Sequence, residues 1–292
     1  PDWMDDSHCF RDWEGNSSFH GRTGRVLSFW DTEAQRLIDE FLYRAKTELP
    51  WEQFWAIELN IGQGGEARFI GPRFHADGSN DLFVPLWCSD PYALNAFRMA
   101  MRIKYQDDLK AYNKRHGFQH KSWDDVMPAR DMSEARFDGD TTAWYQGELV
   151  RYIDGMIHRI QPHRRVVIAH AANYNVRSEF WGCGSYELEA PLYEIGRRWE
   201  PLFVEVIHFH YALMCFHESI QSIIMQKLSQ RKWYAGCQYA EGAIKNTQRL
   251  RCMGAQGFIC GVNDHLFDFA DGKPNKLIPE QAEKLKLAIK GV

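Results

Sequence analysis

Phe54-Trp55-Ala56-Ile57-Glu58-Leu59-Asn60-Ile61, running straight into Gly62-Gln63-Gly64-Gly65-Glu66-Ala67-Arg68-Phe69, is the stretch on which the reading of the fold turns. The first eight residues form an apolar run that reads as a β-strand. The glycines behind it let the backbone turn sharply and approach a bound molecule closely. Glu66 therefore stands just past the C-terminal end of a strand, on a Gly-rich loop. Barrel enzymes place their catalytic groups at that end of their strands. Gly-Gly-Glu also fits an ordinary strand-to-helix turn, so the rest of the chain has to decide.

Further along, short β-type runs at 166–170, 203–210, 233–237 and 258–260 alternate with helical stretches. Strands alternating with helices predict a parallel sheet with helical crossovers. Upstream, residues 31–47 carry Leu37, Ile38, Phe41, Leu42 and Ala45 on one helical face. Ser89-Asp90-Pro91 predicts a helix start, with Ser89 as the cap and Pro91 in the first turn, and the helix is expected to run to about residue 114. Residues 141–160 place Leu149, Ile153, Met156 and Ile160 at helical spacing. Residues 1–30 and 62–90 read as long loops, 115–140 as charged and irregular, and a last amphipathic helix begins near Pro279. No repeat, low-complexity tract or linker divides the chain, so 1–292 reads as a single domain. The strand count reaches five, where a closed (β/α)8 barrel needs eight.

Composition narrows the function classes. Hydrophobic residues make up 45% of the 292, enough for a sizeable core. Eleven Trp, twelve Tyr and eighteen Phe suit either a bulky core or clefts that receive flat apolar faces such as sugar rings. A net charge of −4 argues against nucleic acid as a partner. No apolar run reaches the length of a membrane-spanning helix. The seven cysteines are odd in number and scattered, without a CxxC pair, which predicts reduced thiols in an intracellular compartment. A first residue of Pro1 rather than Met predicts a trimmed or processed chain, with any targeting segment lost.

Several segments, in order, resemble the β-amylases, a family of glycoside hydrolases. They are Asp12-Trp13-Glu14-Gly15, Phe19-His20-Gly21-Arg22-Thr23, the Gly65-Glu66-Ala67-Arg68-Phe69 loop and Ala143-Trp144-Tyr145-Gln146. Arg165 to His170, Glu187-Leu188-Glu189-Ala190, Ala235-Gly236 with Ala240, and Asn263-Asp264-His265-Leu266-Phe267 continue the series. The resemblance implies a (β/α)8 barrel of which this chain holds the C-terminal five or so strand–helix units. It then also implies that a second polypeptide or an N-terminal segment completes the barrel, because bare sheet edges and apolar faces are otherwise covered.

The same resemblance assigns site positions. Inverting glycoside hydrolysis needs one carboxylic acid to protonate the leaving oxygen and a second carboxylate, roughly 6.5–9.5 Å away, to activate water. Glu66 falls on the acid. The base position falls on Cys237, and a thiol with an ordinary pKa of about 8.5 is a poor substitute for a water-activating carboxylate. Gln238 takes the place of the adjacent Asn, and Ala240 matches an Ala of the same loop. Glu241 is a weak alternative base, and its plain reading is a first-turn Glu favoured by the helix dipole. Arg165 replaces a substrate-binding Lys, with a planar fork in place of an ammonium. His170 keeps the position of a substrate-binding His, although a lone His at a strand end also reads as a structural hydrogen-bonder.

Two function classes follow: a glycosidase that releases maltose from the non-reducing ends of α-1,4-glucans, or a non-catalytic β-amylase-like subunit that binds glucan or serves a structural role. The lost base favours the second. A rival reading takes His208 and His210 as metal ligands on one strand face, with His217 and Glu218 nearby, but no further cluster completes a site. No metal or cofactor is expected: there is no GxxxxGK[ST] or GxGxxG loop and no Gly-x-Ser-x-Gly elbow.

Overall fold

The computed structural model describes residues 5–17, 19–20, 24–54, 56–59, 85–135, 137–160, 165–171, 203–209, 233–237, 257–260, 267–270 and 273–277, together with 280, 283, 286 and 287. Its frame is a parallel sheet of β3 (Ala56–Leu59), β4 (Arg165–Ala171), β5 (Phe203–Phe209), β6 (Trp233–Cys237) and β7 (Gly257–Cys260), hydrogen-bonded in the order of the sequence. Each strand is followed, one crossover later, by its own neighbour, which is how a βα-repeat builds a barrel wall. Val166, Val167, Ile168, Val204, Val206 and Ile207 supply the apolar and β-branched runs typical of parallel strands. Two small antiparallel pairs form separate sheets: β1 (Phe19–His20) with β2 (Gly24–Arg25), and β8 (Phe267–Ala270) with β9 (Lys273–Leu277).

The helical layer is α1 (Thr32–Glu48), α2 (Pro91–Lys104), α3 (Leu109–His116), the short α4 (Met132–Ala135) and α5 (Gly139–Ile160). Helix α5 is the pillar. Trp144, Tyr145, Leu149, Ile153, Met156, Ile157 and Ile160 are buried at helical spacing and meet Phe97 and Met101 of α2. Aromatic rings fill the joint: Trp30 stacks on Trp144 at 5.2 Å, and Phe97 meets Trp144 edge-on at 4.9 Å. Such ring pairs are worth about 0.5–1.5 kcal/mol beyond their buried area. The N-terminal residues, expected as loop, contribute Phe10 to this core, edge-on to Phe29 at 4.7 Å. No helix among the described residues is long and apolar enough to cross a membrane.

Three expectations need correcting. The cap of α2 is Asp90, not Ser89: its carboxylate accepts the N–H groups of Tyr92 at 3.1 Å and Ala93 at 3.0 Å, with Pro91 in the first turn. The helix does not run on to residue 114. It stops at Lys104, Gln106 and Asp107 take positive φ of 53° and 61°, and Asp108 caps α3. Asp is among the residues that tolerate the left-handed region and among the best caps, so Asp107-Asp108 breaks a pattern that apolar periodicity carries through. On α1, Phe41 does not join the buried face; it is 68% exposed, while Ala34, Ile38 and Leu42 face the core.

Candidate functional site

The register fixes where the expected site positions stand. Cys237 is the last residue of β6 and pairs with Phe209 and Cys260, the last residues of β5 and β7. His170 is the penultimate residue of β4, in register with Ile207, which in turn pairs with Ala235. His170 and Cys237 therefore share one face of the sheet, two strands and two residues apart. At about 4.8 Å between strands and 3.3 Å per residue their Cα atoms are roughly 12 Å apart. Both stand at the C-terminal rim.

Ile57 has the same parity, through its pairing with Val166, and it packs half-buried on the helical core. Arg165, Ala171, His208 and Gly236 fall on the other face. Rim positions of either parity border the loops that build a barrel site, so this sorts the positions without removing any from the rim.

Arg165 is a different case. It opens β4 in register with Ala56, at the N-terminal end of the sheet. Five residues, roughly 16 Å of strand, separate it from His170. The register does not bring the two together. Glu66, Gln238, Ala240 and Glu241 lie outside the described residues, as do His210, His217 and Glu218. Among the described residues no group of three His, Cys, Asp or Glu is placed to hold a metal ion.

Two carboxylates passed over in the sequence stand within the sheet. Glu58 is in register with Val167, and Glu205 with Ile168 and Trp233. A charged residue inside an otherwise apolar parallel strand is the signal that would have found them. At the rim itself, the last residues of the five strands are Leu59, Ala171, Phe209, Cys237 and Cys260, and none is acidic.

The upstream segments that carry the resemblance have structural roles. Asp12 is fully buried, and its Oδ1 accepts the N–H groups of Glu14 at 3.0 Å and Asn16 at 2.9 Å, closing a tight turn. Trp13 lies under the Arg130 guanidinium, 5.4 Å from its ring centre. Tyr145 is a core residue whose hydroxyl accepts the Trp87 N–H at 3.3 Å.

Two further clusters of ionisable groups hold the helices. At the first, Asp31 and Asp90 cap α1 and α2 from buried positions; His8 Nδ1 is 2.5 Å from Asp31, and Ser28 Oγ donates to Asp90 at 3.2 Å. Burial pushes the Asp90 carboxyl up to about 6, against the helix N–H groups and Ser28, which favour the anion. Burial, then the adjacent Asp90, raises the Cys88 thiol well above its ordinary range. At the second, Asp140 receives Lys104 at 2.5 Å, the Tyr105 hydroxyl at 2.6 Å and His116 Nε2 at 3.1 Å. Burial works to raise its carboxyl, but these partners together hold it below the usual range. Burial and the Asp140 hydrogen bond push Tyr105 up to about 12. Both clusters stitch helix ends together.

No family model matches the sequence, and no curated protein sequence does either. Among solved structures, the chain is similar to the catalytic domain of a β-amylase from Paenibacillus polymyxa, with a TM-score of 0.68 and 16% identity over 99% of this chain and 74% of that one. At that identity the likeness speaks to architecture: the fold is β-amylase-like, of the (β/α)8 type.

Proposed function

We propose that this chain is a glucan-binding, non-catalytic relative of the β-amylases, with a degenerate glycosidase site at the C-terminal rim of its sheet. The observation that carries the reading is Cys237 at the end of β6, aligned with Phe209 and Cys260. The family resemblance expects the water-activating carboxylate there. A thiol at that position neither holds nor deprotonates water at neutral pH as a carboxylate does. Glu66 would keep the acid position, while His170 and the Gln238–Ala240 stretch would contact sugar hydroxyls. Arg165, at the opposite end of β4, is left out of the site. The fold likeness supports the barrel that this arrangement requires.

Acid–base groups each contribute about 10²–10⁴-fold, so loss of the base alone slows hydrolysis by about that factor. The test is maltose release from soluble starch by the purified chain, alongside affinity for maltoheptaose. Undetectable release, with binding weakened by His170→Ala, is the expected result. Robust release abolished by Glu66→Gln would overturn the reading in favour of an active inverting hydrolase.

A further inference from the structure

We infer that a groove on the outer side of the helical layer is a second binding site, for a neutral saccharide chain. The cavity, about 520 Å³, lies between the C-terminal half of α2, the Gln106-Asp107 joint and the single turn at Trp123–Asp125. Its size is that of ordinary small-ligand pockets, about 300–1,000 Å³.

Three features of its lining point to a ligand. Met99 and Ile103, one helical turn apart, are 56% and 74% exposed there, and the half-buried Trp123 adds an aromatic surface. Large apolar groups set side by side in a concave site are unlike the scattered exposed residues of an ordinary surface. Next, the lip is built from two successive non-glycine residues with positive φ, Gln106 and Asp107. Such backbone persists only where the surroundings over-determine it, and it gathers at ligand sites. Here Arg102 grips Asp107 through two bonds of 2.8 and 3.2 Å. Finally, the Arg98 guanidinium is pinned by the carbonyls of Val126 at 3.1 Å and Asp124 at 2.5 Å. The groove is therefore shaped before any ligand arrives, which lowers the ordering cost of binding.

The charges choose the ligand class. Two arginines, 98 and 102, are balanced by two aspartates, 107 and 124. That balance gives no net attraction to a phosphate or to a cationic peptide. What remains is an apolar and aromatic surface beside planar guanidinium, carboxylate and amide groups, including Asn95 and Gln106. Pyranose rings present this complement: apolar C–H faces and a rim of hydroxyls that both donate and accept. An α-glucan is the specific choice only through the reading proposed above; the saccharide class rests on the groove itself.

The experiment titrates the full chain with maltoheptaose and, separately, xylohexaose by calorimetry. The variants are Ile103→Arg, which fills the groove from an exposed position, Asn95→Ala, and His170→Ala at the rim. Unchanged melting curves for the two groove variants establish that they fold. The expected result is a loss of affinity of about tenfold for Ile103→Arg and a smaller loss for Asn95→Ala, for at least one sugar. If the groove variants bind both sugars as the parent does, the inference is overturned, and sensitivity to His170→Ala alone would leave the rim reading standing. Sensitivity to the groove variants with none at His170 supports the groove and removes the rim. No binding of either sugar by the parent chain overturns both.

Discussion

Replacing Asp90 by Asn should stabilise the protein at neutral pH and flatten its pH dependence. The carboxyl is fully buried at the start of α2, and its pKa rises from 3.8 unfolded to about 6 folded. The folded state therefore holds the proton more tightly than the unfolded one. The stability this confers is complete below pH 3.8, falls as pH rises, and is gone above about 6. A shift of about two units corresponds to roughly 3 kcal/mol between those limits. Asn keeps the cap, since its side-chain oxygen can accept from Tyr92 and Ala93 as the carboxylate does, and the two residues rank equally as caps. It gives up the anion's favourable interaction with the helix dipole, about 0.3–1 kcal/mol. The net expectation for Asp90→Asn is a gain of about 2 kcal/mol at pH 7.5, vanishing near pH 4. Urea unfolding of both proteins between pH 4.0 and 7.5 measures it. Taking the difference removes the opposite slope contributed by Asp107, Asp125, Asp131 and Asp140, whose carboxyls are all lowered in the fold. A variant less stable than the parent at pH 7.5, with the same difference at every pH, would refute the reasoning: the anion would then be worth more to the cap than its burial costs.

Asp140→Asn should act in the opposite direction: a loss of about 1–2 kcal/mol at neutral pH, read by the same titration and shrinking as the parent's carboxyl is protonated in acid. Trp144→Ala should cost about 3–5 kcal/mol in chemical denaturation, because it removes the ring between Trp30 and Phe97. Phe41→Ser should change stability by less than about 0.5 kcal/mol, since Phe41 is exposed; a larger loss would show that α1 buries that face. Gly117→Ala should cost about 1 kcal/mol from backbone strain alone: the residue ends α3 at φ 73°, and an added Cβ would meet nothing within 4 Å.

How legible the molecule was follows the range of the interaction responsible. The strands of the parallel sheet were readable because they are short, mostly apolar and β-branched runs, and 233–237 stands in the structure with the predicted bounds. The β8–β9 pair was not, because Lys273-Pro274-Asn275-Lys276 has the polarity of a loop and Pro is unusual inside a sheet. The one local signal was Asp271-Gly272 between the two strands, a sequence that favours tight hairpins. The break between α2 and α3 was hidden for a related reason: apolar spacing reports which face is buried, and that face continues from Met101 to Tyr112 across the interruption. Capping decides the break, through Asp108, and capping is local and polar.

At the rim, sequence order alone grouped Arg165 with His170, because a motif records which residues occur and not which end of a strand they occupy. Register supplies the missing coordinate. It puts Arg165 beside Ala56, at the N-terminal end of the sheet, and Cys237 beside Cys260, at its C-terminal rim. A carboxylate introduced by Cys237→Glu would then enter at the rim. Its effect on maltose release, read against the single variant Glu66→Gln and the double variant, would separate two causes of inactivity. Recovery of activity that depends on Glu66 would mean that one side chain was the whole defect. Continued inactivity, with glucan affinity intact, would mean that the rim holds sugar in a geometry that no longer presents the bond to water, as a binding protein's site need not.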